Sequence, residues 1–382
     1  VRAIQITQFG KPEDVVRVVD LQEPPAPGAG EVKVAVEFAP LNLHDLLVVS
    51  GALVRPSLPL VLGAEGVGRI VEVGPGVDTV AVGDLVVLPL YSGAWRERLL
   101  LPADGLFRLP EGSVEQFSML GSNPPTAGLI LSEYTDLKPG DWIAQNAANS
   151  GVGRSLIALA KARGFRTINL VRDESVFAEL TAAGADIVRL DDATAAEDVR
   201  KTIGDARVAL AVDSVGGDAP ARLLDLLSDG GSLVTYASAT GWPMSVDALT
   251  LIGKRATVRG FFAGHFDYAT KLLPVIREAA PLVASGALFV PPAAVFDLDD
   301  VQAAIERVRR GGKILLKVAR SWPCTIRTGR TTRERAPVTI RRAALRSSPR
   351  ARGSRVGVSR ALLREKHRDV RTHCPVLRGP RL

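Results

Sequence analysis

Between Trp142 and Asp173 the chain reads WIAQNAANSGVGRSLIALAKARGFRTINLVRD, and this stretch constrains the fold more than any other. Its apolar start predicts a buried strand and its Ala, Asn, Ser and Gly centre a tight turn. From Val152 the spacing of Leu156, Leu159 and Ala160 predicts a helix, and Thr167 to Val171 returns to strand. A βαβ unit of about thirty residues results, with small residues where strand passes into helix. Backbone N–H groups at such a corner can seat a pyrophosphate. Ala148 and Ser150 stand where the first two glycines of G-x-G-x-x-G would fall, leaving Gly151 and Gly153. The strand before and the helix after supply the context that the bare glycine pattern lacks. A glycine-rich corner that binds nothing is the competing reading.

Arg172 lies 19 residues beyond Gly153, at the end of the second predicted strand. An acidic side chain there would bond the ribose 2′-OH of NAD, whereas a guanidinium pairs with the 2′-phosphate of NADP. The expected cofactor is therefore NADPH, with the adjacent Asp173 as the opposing signal.

The chain has 382 residues, of which 46% are hydrophobic, enough for two domains with their own cores. No run approaches the roughly 18 apolar residues of a membrane span, and VRAIQITQFG at the start has neither signal- nor transit-peptide character. A soluble, cytoplasmic protein with no membrane association is expected. From Ser321 onward there are 17 Lys and Arg against 3 Asp and Glu, while the preceding 320 residues hold 31 against 38. The body is mildly acidic and the tail makes the chain basic. That tail, rich in Arg, Ser, Pro and Gly and without periodicity, is expected to be disordered. It lacks interleaved aromatics or a binding module, so nucleic acid is not an expected partner. Cys324 and Cys374 both fall in it, so residues 1–320 hold no thiolate for a disulfide or zinc.

Residues 1–120 read as short strands at Val15 to Val19, Glu31 to Phe38, Gly66 to Val73, Leu85 to Leu88 and Glu97 to Leu101, with a short helix at Leu43 to Val49. Glycine and proline punctuation between them argues for a partly open β-barrel. After the βαβ unit, strand signals continue at Ile187 to Leu190, Val208 to Val212, Ser232 to Tyr236 and Thr257 to Phe261. FDYATKLLPVIREAAPLV then has helical spacing, Ala293 to Asp297 reads as strand, VQAAIERVRR as helix and KILLKV as a closing strand.

The succession GAEGVGRIVEVGPGV, VGD, NPPTAG and NAANSGVG, ending in RTINLVRD, resembles the medium-chain dehydrogenase/reductase superfamily, and within it the zinc-free branch of quinone oxidoreductases and trans-2-enoyl thioester reductases. The resemblance implies an α/β chain of two domains. A GroES-like β-barrel catalytic domain would take residues 1–120, a Rossmann doubly wound parallel-sheet domain 121–260, and a return to the first domain 261–320, with the basic tail at 321–382. Substrate would lie in the cleft over the nicotinamide. By motif position, Asn123, Asn149, Ser150, Gly151, Val152, Gly153, Arg172, Tyr236, Ala237, Phe261, Phe262 and Lys313 match cofactor contacts. Phe261 and Phe262 would border the nicotinamide and Lys313 neutralise phosphate; a buried aromatic pair and a solvated lysine are the plain alternatives.

In zinc-dependent relatives a Cys stands at the place of Asn42, a His at Ala64 and a further Cys near Ser122; no metal site is expected here. Without a Lewis acid, alcohol oxidation loses its charge stabilisation, whereas a conjugated carbonyl itself takes up the charge that develops when hydride adds to a C=C. The expected activity is thus NADPH-dependent hydride transfer to an enone, an enoyl thioester or a quinone. One departure bears on this: Ala52 and Leu53 occupy the place of the family's proton-donating Tyr. Tyr91 and His44 are candidate replacements, and Asn42 a candidate hydrogen-bond donor to substrate or cofactor; loop packing and helix capping are the alternatives. An NADPH-binding protein with little catalysis, or residual alcohol dehydrogenase activity, would be the competing functions. A small-molecule substrate is the expected partner, and the family implies a homodimer through the Rossmann sheet edge.

Overall fold

The structure, a computed structural model, describes residues 1–239 and 243–318. The basic tail and its two cysteines lie outside the described residues. Six parallel strands form one sheet in the order Ile187–Leu190, Arg166–Val171, Trp142–Gln145, Val208–Asp213, Ser232–Thr235, Thr257–Gly260. Trp142–Gln145 sits inside the sheet with the next two strands in sequence, Arg166–Val171 and Ile187–Leu190, on one side and the third, Val208–Asp213, on the other, so the direction of winding reverses there. A crevice opens at the carboxyl ends of strands at such a reversal. Strand periodicity places Ile143 on one face, among Ile130, Leu156 and Leu159. Trp142 and Ala144 point to the other, among Ile168, Leu223 and Leu227. Both faces are covered, as a parallel sheet requires.

The second body is a barrel-like assembly around the eleven-residue strand Glu31–Leu41. Val67–Val73, Arg98–Pro102 and Lys313–Lys317 all pair with it antiparallel. Pro292–Asp297 runs beside Lys313–Lys317, Leu85–Val87 extends the other edge, and Arg17–Asp20, Arg2–Ile6 and Leu60–Val61 form a small second sheet. Ile4, Val34, Val36, Ile70, Trp95 and Ile314 fill the interior. Register matters for function here: Ile314 pairs with Leu41, which brings Lys313 beside Asn42 although the two are 271 positions apart.

Two elements differ from the sequence expectation, and a third, at NPPTAG, is not anticipated in it. Over Val15 to Val19, Pro12–Val15 is a helical turn and only Arg17–Asp20 is strand. Pro12 loses no donor in a first turn, and Glu13 and Asp14 favour a helix start. NPPTAG opens a helix, Asn123–Glu133, for the same reason, since the proline pair occupies its first turn. The helical run after Asp267 is broken into a wide turn at Tyr268–Leu272 and a helix at Leu273–Ala284, with Pro274 at the junction. Pro274 has no N–H to continue the ladder and resets it.

Candidate active site

At the parallel-sheet corner, Trp142–Gln145 leads through Ala147, at φ 44°, into the helix Gly151–Ala162. Ser150 caps that helix, its Oγ accepting the Gly153 N–H at 3.1 Å, which leaves earlier N–H groups of the first turn open. Gly153 is required by space: a Cβ there would lie 2.5 Å from the Ala148 carbonyl oxygen. A Cβ on Gly151 would meet the Asn123 amide at 2.8 Å. Asn123 Nδ2 is buried and has no hydrogen-bond partner.

Buried polar groups hold this corner still. Gln145 Nε2 donates to Asn169 Oδ1 at 2.8 Å and to the Gly153 carbonyl at 3.0 Å. Asn146 Nδ2 donates to Asp213 Oδ1 at 2.6 Å, and Asp213 also accepts from the Val215 and Gly216 N–H groups and from Thr235 Oγ1. The Tyr236 hydroxyl hydrogen-bonds with Ser150 and Ser214, and burial pushes it up from the usual phenol range. The structure therefore brings together Asn123, Ser150, Gly151, Gly153 and Tyr236. Asn149 is exposed beside them, its carbonyl accepting from Arg154; Val152 packs partly into the core, and the Ala237 carbonyl accepts from Thr235 Oγ1. Arg172 lies two residues past Leu170, whose carbonyl accepts the Ala148 N–H. Its side chain is exposed and pairs with no described residue. Asp173 is committed elsewhere, its carboxylate accepting the Ser175 N–H.

A second constellation lies in the barrel. Asn42 precedes the helix Leu43–Ser50, and its N–H donates to Asp45 Oδ2 at 2.8 Å. Asp45 Oδ1 accepts the Ala64 N–H at 3.1 Å. The Asn42 amide is used at both ends: Nδ2 donates to Glu65 Oε1 at 2.9 Å, and Oδ1 accepts from Lys313 Nζ at 2.6 Å. Glu65, wholly buried, accepts the Ser122 N–H on its other oxygen at 2.8 Å. Burial pushes the Glu65 carboxyl up and the Lys313 ammonium down, and the two opposite charges counter this in each other. Of the places of the family's zinc ligands, Asn42 and Ser122 thus converge on the Glu65 carboxylate, which an amide bridges to an ammonium, while Ala64 precedes Glu65 and donates to Asp45. Among the described residues no group of three or more His, Cys, Asp or Glu is placed to hold a metal ion. Ser122 adjoins Asn123, so Glu65 also ties this network to the dinucleotide corner.

His44 Nε2 is buried without a hydrogen-bond partner, 3.8 Å from Asp45 Oδ1. Its ring stands edge-on to Tyr91, the centroids 6.4 Å apart. Tyr91 has φ 65°, and its phenol is pushed up to about 12 by burial and the charges of Asp45 and Glu65. Phe261 is buried, stacked on Phe266 at 5.4 Å and tilted against Tyr134. Phe262 is half-buried and meets His265 edge-on at 5.1 Å. Lys313 takes Asn42 as its partner. Sequence reasoning passed over Glu65, Asp45 and Asp213. An acidic residue inside a glycine-rich apolar run, as in GAEGVG, is the signal that could have singled out Glu65.

The chain matches the alcohol dehydrogenase GroES-like domain over residues 28–111 and the zinc-binding dehydrogenase family over residues 151–278. A mitochondrial enoyl-[acyl-carrier-protein] reductase of Xenopus tropicalis is 32% identical over 319 residues, 80% of this chain and 91% of the relative. The enzyme of the same name from Bos taurus is 34% identical over 318 residues, 80% and 85% of the two chains. Among solved structures, the Escherichia coli quinone oxidoreductase complexed with NADPH superposes with a TM-score of 0.71 at 28% identity, covering 83% of this chain and 100% of that one. A mutant enoyl thioester reductase of Candida tropicalis, at 23% identity and TM-score 0.73 over 83% and 99% of the two chains, shares the fold. The chain belongs to the medium-chain dehydrogenase/reductase superfamily, in the branch of enoyl and quinone reductases. The expectation of a cytoplasmic protein is corrected by these relatives, several of which are named as mitochondrial. Among the described residues no helix is long and apolar enough to cross a membrane.

Proposed function

We propose that this protein is an NADPH-dependent reductase that acts without zinc on a C=C conjugated to a carbonyl, as in an enoyl thioester or enone, or on a quinone. The observation that carries the reading is the corner where the unpartnered Asn123 amide faces Gly151. A buried donor without a partner, beside a glycine whose Cβ would fill the space, fits a dinucleotide. Asn123, Asn149 to Gly153, Tyr236 and Ala237 would hold its pyrophosphate and ribose, and Arg172 its 2′-phosphate. When bound, NADPH supplies a hydride.

The barrel residues organise the substrate side. Asn42 is fixed at both ends of its amide and cannot rotate without breaking a bond to Glu65 or Lys313. Lys313 places a positive charge where a metal would otherwise polarise oxygen, and the conjugated carbonyl accepts the developing charge. The Ala52–Leu53 departure favours one competing reading, a cofactor-binding protein with little turnover.

A homodimer is part of the same proposal. Every residue of the edge strand Thr257–Gly260 is exposed, and the preceding helix Ala248–Lys254 leaves Leu249 and Ile252 at 78% and 73% exposure. An open edge beside exposed aliphatics fits pairing with a second copy. NADPH consumption with an alkenoyl thioester, an enone and a quinone, in the presence of a chelator, tests the function. Cofactor binding without turnover of any of the three contradicts it.

A further inference from the structure

Among the described residues three buried side-chain polar atoms have no hydrogen-bond partner: His44 Nε2, Ser92 Oγ and Asn123 Nδ2. Asn123 belongs to the cofactor corner. Of the other two, His44 packs edge-on against Tyr91, which precedes Ser92. Such orphans are costly to keep and mark places where a ligand can supply the missing partner.

We infer that His44 is the general acid of the reductase, delivering a proton to the α-carbon of the substrate through Nε2. The inference rests on the reductase reading. It would supply the proton that the family's tyrosine, replaced here by Ala52 and Leu53, would otherwise give. His44 lies two residues after Asn42, in the first turn of the helix Leu43–Ser50, so the network that fixes Asn42 also fixes the ring. Both oxygens of Asp45 are occupied by the N–H groups of Asn42 and Ala64. At 3.8 Å from Nε2, Asp45 Oδ1 lies beyond hydrogen-bond distance, so it sets a negative charge beside the ring without accepting its proton. Glu65 interacts electrostatically with the ring and is itself countered by Lys313, and Tyr91 stands edge-on to the ring. Tyr91 is the poorer donor: its side of the pair is 45% exposed and its phenol holds the proton up to about 12.

The step balances. The β-carbon receives hydride with its electron pair, NADPH leaving as NADP⁺, and the C=C electrons move onto the conjugated carbonyl as an enolate. The Nε2–H bond of the imidazolium breaks and the α-carbon–H bond forms. Neutral imidazole remains and is reprotonated by solvent. A quinone needs no such donor, since its new O–H protons exchange freely with water.

The test uses His44→Gln and His44→Ala in the full chain, with an alkenoyl thioester and a quinone as substrates. Expected is a fall in kcat of about 10²–10⁴-fold for the thioester, with NADPH affinity and quinone reduction retained and imidazole restoring turnover to His44→Ala. A cofactor-free readout accompanies it. The Nε2 resonance of ¹⁵N-histidine-labelled protein should move when the butanoyl thioester of N-acetylcysteamine is added. Undiminished kcat in both variants, or an Nε2 resonance that stays in place while the thioester perturbs neighbouring amides, overturns the assignment of His44 alone. A wild-type protein that consumes no NADPH with any substrate overturns the reductase reading and this inference together.

Discussion

The Glu65 carboxylate accepts the Asn42 side-chain N–H at 2.9 Å and, on its second oxygen, the Ser122 N–H at 2.8 Å, joining the barrel to the start of the helix that leads to the dinucleotide corner. Removing it leaves two donors unpaired and the Lys313 ammonium without its counter-charge. Glu65→Ala is expected to lower stability by about 3–5 kcal/mol, the usual loss when one partner of a buried pair is removed. Denaturant unfolding measures this; a loss below about 1 kcal/mol, the scale of an exposed pair, would mean that the network contributes little.

Gly153→Ala pushes a Cβ to 2.5 Å from the Ala148 carbonyl, a backbone atom that cannot swing aside. A cost of about 1–3 kcal/mol is expected from the forced shift, together with loss of NADPH binding. Gly151→Ala meets only the Asn123 side chain, so it should weaken cofactor binding with little change in Tm. Thermal melts and cofactor titration of the two variants separate these outcomes, and equal effects on Tm would contradict the geometry.

Arg172→Ala should weaken NADPH binding by about 10- to 100-fold, corresponding to about 1.5–3 kcal/mol for hydrogen bonds to a charged group, and leave NADH affinity as it was. Fluorescence titration with both cofactors measures it. Equal weakening of both would place Arg172 outside the 2′-phosphate site.

All four tyrosines, Tyr91, Tyr134, Tyr236 and Tyr268, have phenols raised by burial, Tyr91 and Tyr268 to about 12. A phenol raised in the folded state keeps its proton where the unfolded chain has lost it. Its contribution to stability is therefore complete below the ordinary phenol value of 10.0 and disappears as pH rises toward about 12. Phenolate absorbance should stay low through pH 10 in the native protein and rise with unfolding. A normal titration centred at 10 in folded protein is the contrary result.

The parallel sheet was legible because its signals are local: Ile143 and Ala144 alternate as a buried strand, and Ser150 stands where a helix cap belongs. The proline of KPED opens a helical turn just where the sequence suggests a strand from Val15, since proline breaks a helix interior yet fits its first turn. The barrel network was not legible as a unit. Asn42, Glu65, Ser122 and Lys313 meet through strand register, above all the pairing of Ile314 with Leu41. No short window of sequence contains that register. Lys313, read by motif as a phosphate contact, has Asn42 as its partner for this reason.

The most direct test of the central claim follows one atom. Chelator-treated protein is given NADPH carrying deuterium at the transferable position of the nicotinamide, together with a 2-alkenoyl thioester, and the product is read by NMR. The account predicts deuterium at the β-carbon and a solvent-derived hydrogen at the α-carbon. Deuterium at the carbonyl carbon, or turnover that the chelator abolishes, would show a metal-assisted carbonyl reduction and contradict it.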